Sequence, residues 1–400
     1  MSKRYQGGVL GVGFNPLQAP NAPTAVTATG GDTTASVAFT APANVGGSAI
    51  TGYTVQSNPG AVAATGSASP ITVSGLTNGT AYTFNVWALN TYGPSPAGGP
   101  SGSVTPAAPI GIFGPVDQLK NNVSYITITT LGNSTDFGSL ANSYGQRAGF
   151  SSSTRGLFCG GATTAGTLQS SIEYITISTS GSGSSFGSLS VTRSEASGFS
   201  NSTRGICNNG YDAAPSTNVM DYVTIASTGN ATDFGDTQAA MYQPCATSSS
   251  TRGVIFGGRT AGGNINVIQY VTIATTGNTT DFGDLSNVWS YAAAVSSGTL
   301  AVQGAGYVTA SFTVTNSLEY ITIATTGNAT DFGDLTIAKY NRDATCSTTR
   351  GVWAGGSDDS NVMDYITIAT AGNATDFGDL ATGRSGTRGN TNISSAHGGL

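Results

Sequence analysis

The chain has 400 residues, carries a formal net charge of −6 and devotes only 8% of its positions to charged side chains. Its 3 lysines and 11 arginines form no basic patch of the kind that supplies nucleic-acid affinity, which argues against DNA or RNA as a partner. Gly, Ser, Thr, Asn and Ala dominate, yet apolar residues alternate with Thr and Ser, so the chain predicts ordered β structure over two or three domains. No apolar run is long enough to span a bilayer. The opening Met1-Ser-Lys-Arg-Tyr-Gln-Gly-Gly-Val-Leu lacks the apolar stretch of a signal peptide, so an ordinary secretory route is not expected.

Residues 1–18 are Gly-rich and too short for a core of their own, and are expected to act as an anchor segment that orders against a partner. From 19 to 108 the character changes. Val37-Ala-Phe39, Ile50-Thr-Gly-Tyr53-Thr-Val55 and Tyr82-Thr-Phe84-Asn-Val86-Trp87-Ala88 predict strands separated by Pro and Gly. The run Leu76-Thr-Asn-Gly79-Thr-Ala-Tyr82 through Asn90-Thr-Tyr-Gly93-Pro closely resembles the second half of a fibronectin type III module. The resemblance implies a β-sandwich in which Leu76 and Tyr82 form a tyrosine corner. Phe39 departs from the family, which usually carries a tryptophan on that strand. With Asp32 as its one charged residue, the module predicts a spacer better than a charge-steered binding domain.

Residues 109–400 repeat one pattern six times: Tyr-Ile/Val-Thr-Ile, a polar turn, Thr-Asp-Phe-Gly-Asp-Leu, an Arg, then Thr-Arg-Gly, an apolar triplet and Gly-Gly. The opening tyrosines are Tyr125, Tyr174, Tyr222, Tyr270, Tyr320 and Tyr365, spaced 49, 48, 48, 50 and 45 residues apart. A period of this length built from short strands predicts β-propeller blades. Gly160-Gly161, Gly257-Gly258 and Gly355-Gly356 sit where the kelch family places its paired glycines, and the repeats resemble kelch blades. The C-terminal Ser394-Ser-Ala-His-Gly398 aligns with Ser152-Ser-Thr-Arg-Gly156, as the end of a first strand. The matching second strand is Gly111-Ile-Phe-Gly114 at the front. The whole is expected to be an all-β chain, a fibronectin type III sandwich followed by a six-bladed kelch-like propeller that a C-terminal strand closes. Such closure removes two unpaired edges.

Chemistry is sparse. Cys159, Cys207, Cys245 and Cys346 lie inside predicted strands at apolar or small positions, which predicts buried free thiols and no disulfide framework. With His397 the only histidine, neither a zinc site nor a Ser-His-Asp triad is expected, and no metal or cofactor is implied. The paired aspartates, such as Asp331/Asp334, recur in nearly every copy and suit tight turns better than calcium or acid–base work. Asn133-Ser-Thr and its equivalents match a glycosylation pattern that has no meaning without secretion. Arg155, Arg204, Arg252 and Arg350 are expected to pair with carboxylates of neighbouring turns. The loops at the opposite end differ from copy to copy, and loops on a rigid scaffold commonly carry function. There Tyr211, Asp212, Arg259, Trp289, Tyr307, Tyr340, Asp358 and Asp359 are the candidate binding residues.

Tyr320-Ile-Thr-Ile-Ala-Thr-Thr-Gly-Asn-Ala-Thr-Asp-Phe-Gly-Asp-Leu335 resembles a repeat of structural proteins from tailed phages, particularly marine ones. The resemblance implies a non-enzymatic virion protein, such as a fibre, tip or decoration component, assembled in the host cytoplasm. On that reading residues 1–18 bind other virion proteins and the propeller meets a host-surface glycan or protein, with no membrane insertion and with homo-oligomerisation left open. A cellular carbohydrate-binding lectin or interaction scaffold is the alternative. A propeller glycosidase is the weakest, because one histidine and no clustered acid pair leave little to build it from.

Overall fold

A computed structural model describes residues 18–115, 120–212, 216–308, 313–384 and 393–400. Apart from residue 18, the anchor segment lies outside the described residues. Every regular element described is a β-strand, and contacts divide the chain into two units, Met1–Ala108 and Pro109–Leu400.

In the first unit, period-2 patterning sets the layers. Strand Thr34–Thr40 buries Ala35, Val37 and Phe39, strand Gly52–Asn58 buries Tyr53 and Val55, and strand Thr83–Asn90 buries Phe84, Val86 and Ala88. Thr34–Thr40 lies between Thr24–Gly30 and Ile71–Ser74, while Gly52–Asn58 and Thr83–Asn90 are the inner pair of a four-stranded sheet. The apolar faces of both sheets form one core. The expected tyrosine corner forms, with the Thr77 N–H donating to the Tyr82 hydroxyl at 3.1 Å. Phe39 fills the usual tryptophan position and packs on Tyr53 with ring centroids 4.7 Å apart. Asp32 accepts from the Asn78 amide at 2.7 Å, so the one charge of residues 19–108 serves a local loop.

The second unit contains six antiparallel four-stranded sheets. Sheet I combines Ile393–Ser394, Ile110–Phe113, Asn122–Thr127 and Thr135–Ser139. Sheets II to VI follow in chain order, beginning with Ala148–Ser151, Ser197–Ser200, Cys245–Ser248, Ala293–Ser296 and Asp343–Cys346. In those five, all four residues of the first strand are buried, whereas the fourth strand buries little beyond its Phe. First strands touch one another in succession, and those of sheets VI and II both touch sheet I.

Repeated contacts join each sheet to the next. Within each sheet the third-strand tyrosine meets the fourth-strand phenylalanine edge-on, as in Tyr222–Phe234 at 6.0 Å and Tyr270–Phe282 at 5.9 Å. Turn glycines reach across to the preceding sheet, where Gly277 N–H donates to Phe234 O at 2.7 Å. Gly132 N–H donates to Phe377 O in the same way, joining sheet I to sheet VI. Only glycine fits at the facing position, because a Cβ on Gly235 would lie 2.5 Å from the Gly277 oxygen. The Asn of Asn-x-Thr completes the seam. Asn278 Oδ1 accepts the Asp236 N–H at 2.9 Å, and Asn133 accepts the Asp379 N–H at 3.0 Å. The asparagines of this motif are therefore inter-sheet clamps.

Three expectations are corrected. Arg155, Arg204, Arg252 and Arg350 are not paired with carboxylates. Each lies 4.2–4.5 Å over the tyrosine of its own sheet and donates to a carbonyl of the next, Ile225, Ile273, Ile323 and Ile128 respectively. A guanidinium satisfied by a ring face and a carbonyl needs no counter-ion. The Thr-Asp-Phe-Gly-Asp runs form the outer strands and not the turns, and a bulge there accommodates the glycine. Lastly, the C-terminal strand pairs where expected but one residue out of register. Ile393 faces Ile112 and Ser394 faces Gly111, so Ser394 matches Ser151 rather than Ser152. That register buries Ile393 completely where the alternative would turn its side chain to the other face.

Hydroxyls tie the first strands together. Ser200 donates to Ser151 O, Ser248 to Ser200 O and Ser296 to Ser248 O, all at 2.6–2.7 Å. Ser151 donates to Ser394 O at 2.8 Å and Thr345 to Ile393 O at 2.9 Å, bringing the C-terminal strand into the same series.

Candidate functional site

At one end of the six sheets lie the Thr-Arg-Gly turns of sheets II, III, IV and VI and the Gly-Asn turns of every sheet but II. At the other, the loop leading into a sheet pairs with the loop between its second and third strands, through the bridges Ser194↔Tyr211, Tyr242↔Arg259 and Ser290↔Tyr307. Short strands Arg259–Thr260 and Gly263–Asn264, then Tyr307–Val308 and Thr313–Val314, extend two of these loops into hairpins. This is where the sequence of the repeats diverges, and most of the candidate residues sit here.

They fall into two aromatic groups. Tyr211, 39% exposed, meets Tyr242 at 6.0 Å, and Arg259 lies 6.0 Å over the same Tyr242 ring. Tyr340 stands between Tyr291 at 5.8 Å and Tyr307 at 5.6 Å. Asp358 and Asp359 form an exposed turn in the left-handed region, and Asp358 pairs with Lys339 at 2.9 Å, beside Tyr340. Asp212 follows Tyr211 and is half-buried, with Oδ1 lacking a hydrogen-bond partner. Tyr242, which joins Tyr211 to Arg259, and Tyr291, which packs on Tyr340, are not among the candidates expected from sequence.

Trp289 is a correction. It is 2% exposed and packs with Leu285 and Phe256 in the core between sheets IV and V, so it offers nothing to a ligand. The indole is the largest apolar group in its loop, and burying it is worth more than displaying it. Arg193, from a variable loop, is equally buried. It ion-pairs with Asp221 and donates to Val219 O at 2.7 Å. Arg147–Glu173 and Arg342–Asp364 repeat this arrangement in sheets II and VI, while sheet IV carries Gln269 at the acid position. Burial lowers the pKa of Arg147 and Arg342, and the facing carboxylates oppose that shift.

One feature of this end is not evident from single repeats. Gln146, Glu195, Gln243, Tyr291 and Asn341 each stand nine residues before the Arg of Thr-Arg-Gly or its Leu300 replacement. All five have positive φ between 54° and 64°. Their backbones form a hydrogen-bonded arc: Glu195 N–H to Gln146 O, Gln243 to Glu195, Tyr291 to Gln243 and Asn341 to Tyr291. Left-handed backbone at a tyrosine is costly and is retained only where its surroundings enforce it. The common spacing is the sequence signal for this arc.

His397 lies at the opposite end, buried near the ends of the first strands. Its Nδ1 accepts the Gly399 N–H at 3.1 Å, which leaves Nε2–H to donate to Ser151 O at 2.9 Å. Burial lowers its pKa from 6.5 to about 4. The folded state therefore holds the neutral ring, and its stabilisation is complete above 6.5 and lost as pH falls from 6.5 to about 4. The loss should amount to about 3 kcal/mol. Thermal melts across that window should show a steep fall that His397→Gln flattens; parallel profiles would show that the imidazole is not held neutral.

Among the described residues, no group of three or more His, Cys, Asp or Glu is placed to hold a metal ion, and all four cysteines are buried and free. Among the described residues no helix is long and apolar enough to cross a membrane. The first unit matches the family model of the fibronectin type III domain over residues 21–103. Residues 21–103 are a fibronectin type III domain. No curated protein matches the chain. The fibronectin type III domain carries none of the candidate residues, all of which belong to the second unit.

Proposed function

We propose that residues 109–400 form a six-bladed, kelch-like β-propeller and that the chain is a non-enzymatic structural protein of a tailed-phage particle, meeting the host surface through the divergent loops. The succession of sheet contacts, joined between sheets VI and I by Gly132, Asn133 and Arg350, supports the propeller. The phage-like repeat supports the particle. One observation carries the binding role: the repeats diverge most at one end, and that end groups five tyrosines in two sets of ring contacts. Uniform seams hold a scaffold, while divergent aromatic loops recognise something outside it.

On this reading the fibronectin type III domain is a spacer and residues 1–18 attach to a neighbouring virion protein. The particle assembles in the host cytoplasm, and the chain contributes to a fibre, tip or decoration. A cellular lectin would use the same loops but would not copurify with particles. Mass spectrometry of purified particles separates the two. The chain is expected among the virion proteins, and its absence there would overturn the assignment.

A further inference from the structure

Residues 396–400 continue past the closing strand and lie across the ends of the first strands. Ala396 bridges to Ser347, which follows the first strand of sheet VI. His397 Nε2–H donates to Ser151 O of sheet II at 2.9 Å and stands 3.4 Å from Ser200 Oγ of sheet III. Gly398 N–H donates to Ser296 O of sheet V at 3.2 Å. A Cβ on Gly399 would lie 2.1 Å from Ser200 O and 2.7 Å from Ser248 Oγ, so the backbone also rests on sheets III and IV. His397, Gly398 and Gly399 are buried. Together they form a strap over the first strands, with one imidazole near its middle.

That imidazole holds the strap only as the neutral ring. Its Nδ1 accepts the Gly399 N–H at 3.1 Å, and a proton placed on Nδ1 would set two donors against each other. The charge would also lack a counter-ion, since the groups that meet the ring are Ser151, Ser200 and Gly399. On the first strands of sheets II to VI the ionisable side chains are Cys245, Asp343 and Cys346. The thiols are neutral in acid, and Asp343 opens its strand at the end away from the strap. Arg155, Arg204, Arg252 and Arg350, at the starts of second strands, are cations already engaged with ring faces and carbonyls. We infer that residues 396–400 are an acid-released strap: protonation of His397 frees them from the first strands while the six sheets stay paired. The ties from Ser200 to Ser151, Ser248 to Ser200 and Ser296 to Ser248 do not pass through His397, nor does the pairing of Ile393 with Ile112, so they outlast release. The sign follows from linkage. The held ring has its pKa lowered by burial and the released ring regains the ordinary value, so the hold is complete above 6.5 and weakens as pH falls to about 4.

Hydrogen exchange of the full chain, corrected for the intrinsic effect of pH on exchange, tests this directly. Between neutral pH and the acid end of that window, the Gly398 and Gly399 amides should lose protection by about tenfold or more. Strands Arg204–Asn208 and Arg252–Phe256 should keep theirs. His397→Gln, whose amide accepts and donates without titrating, should hold the strap equally at both pH values. If that variant leaves the strap unprotected even at neutral pH, the wild-type imidazole decides. Its NMR titration and the loss of strap protection must share one midpoint, and separate midpoints would overturn the inference. So would unchanged protection in acid, loss of protection in strap and strands together, or an equal acid loss in His397→Gln.

Discussion

Deleting residues 393–400 should destabilise the second unit strongly while sparing the first. The deletion removes Ile393, which is completely buried, and the hydrogen bonds that Ser151 and Thr345 make to the C-terminal strand. It also leaves Ile110–Phe113 as an open edge in sheet I. Loss of a buried isoleucine and several buried hydrogen bonds sums to about 5 kcal/mol. That corresponds to a fall of roughly 10 °C or more in the melting temperature, with aggregation through the exposed edge. Calorimetry should show this as a shift of one transition, the fibronectin type III transition staying in place. An unchanged profile would mean that the C-terminal strand does not close sheet I.

The second large effect is expected at a buried ion pair. Arg342 and Asp364 are fully buried, and Arg342 also donates to the carbonyls of Trp353 and Val362. Arg342→Ala leaves the Asp364 carboxylate buried without its cation, at a cost of about 3–5 kcal/mol. Replacing both partners, as in Arg342→Met with Asp364→Leu, should recover most of that loss, because the apolar pair needs no desolvation. Lys339→Ala is the control. It breaks a pair in which Asp358 is 83% exposed, and should change stability by about 0.5 kcal/mol or less. Urea unfolding of the three variants ranks these effects. Equal losses for Arg342→Ala and Lys339→Ala would contradict the burial argument.

The strand order of each repeat, the closing strand and the buried thiols could be read from the sequence because each leaves a local signature. Period-2 patterning marks the strands, and a second strand lacking its partner at the front matches a first strand at the end. Register was not readable to one residue. Ser394-Ser395 resembles Ser152-Ser153 and Ser151-Ser152 equally, and only burial of Ile393 decides. Trp289 was misplaced for a related reason: an aromatic in a divergent loop looks like a ligand contact until the packing of Leu285 and Phe256 claims it. Carboxylate partners for Arg155 and its equivalents were inferred from charge, whereas a tyrosine face and a carbonyl were closer. The arc of Gln146, Glu195, Gln243, Tyr291 and Asn341 shares a spacing but no single residue type, so composition does not mark it and its left-handed backbone does.

The central claim is that the divergent end recognises and the uniform end supports. Retention on bacterial cells, measured with melting temperature for two variants of the full chain, tests it most directly. Tyr307→Ala combined with Tyr340→Ala should weaken retention about tenfold or more and leave the melting temperature nearly unchanged. Arg204→Ala removes a ring contact at 4.3 Å and the bond to Ile273 O, and should lower the melting temperature while retention persists. Retention that follows Arg204 and ignores the tyrosines would contradict the account.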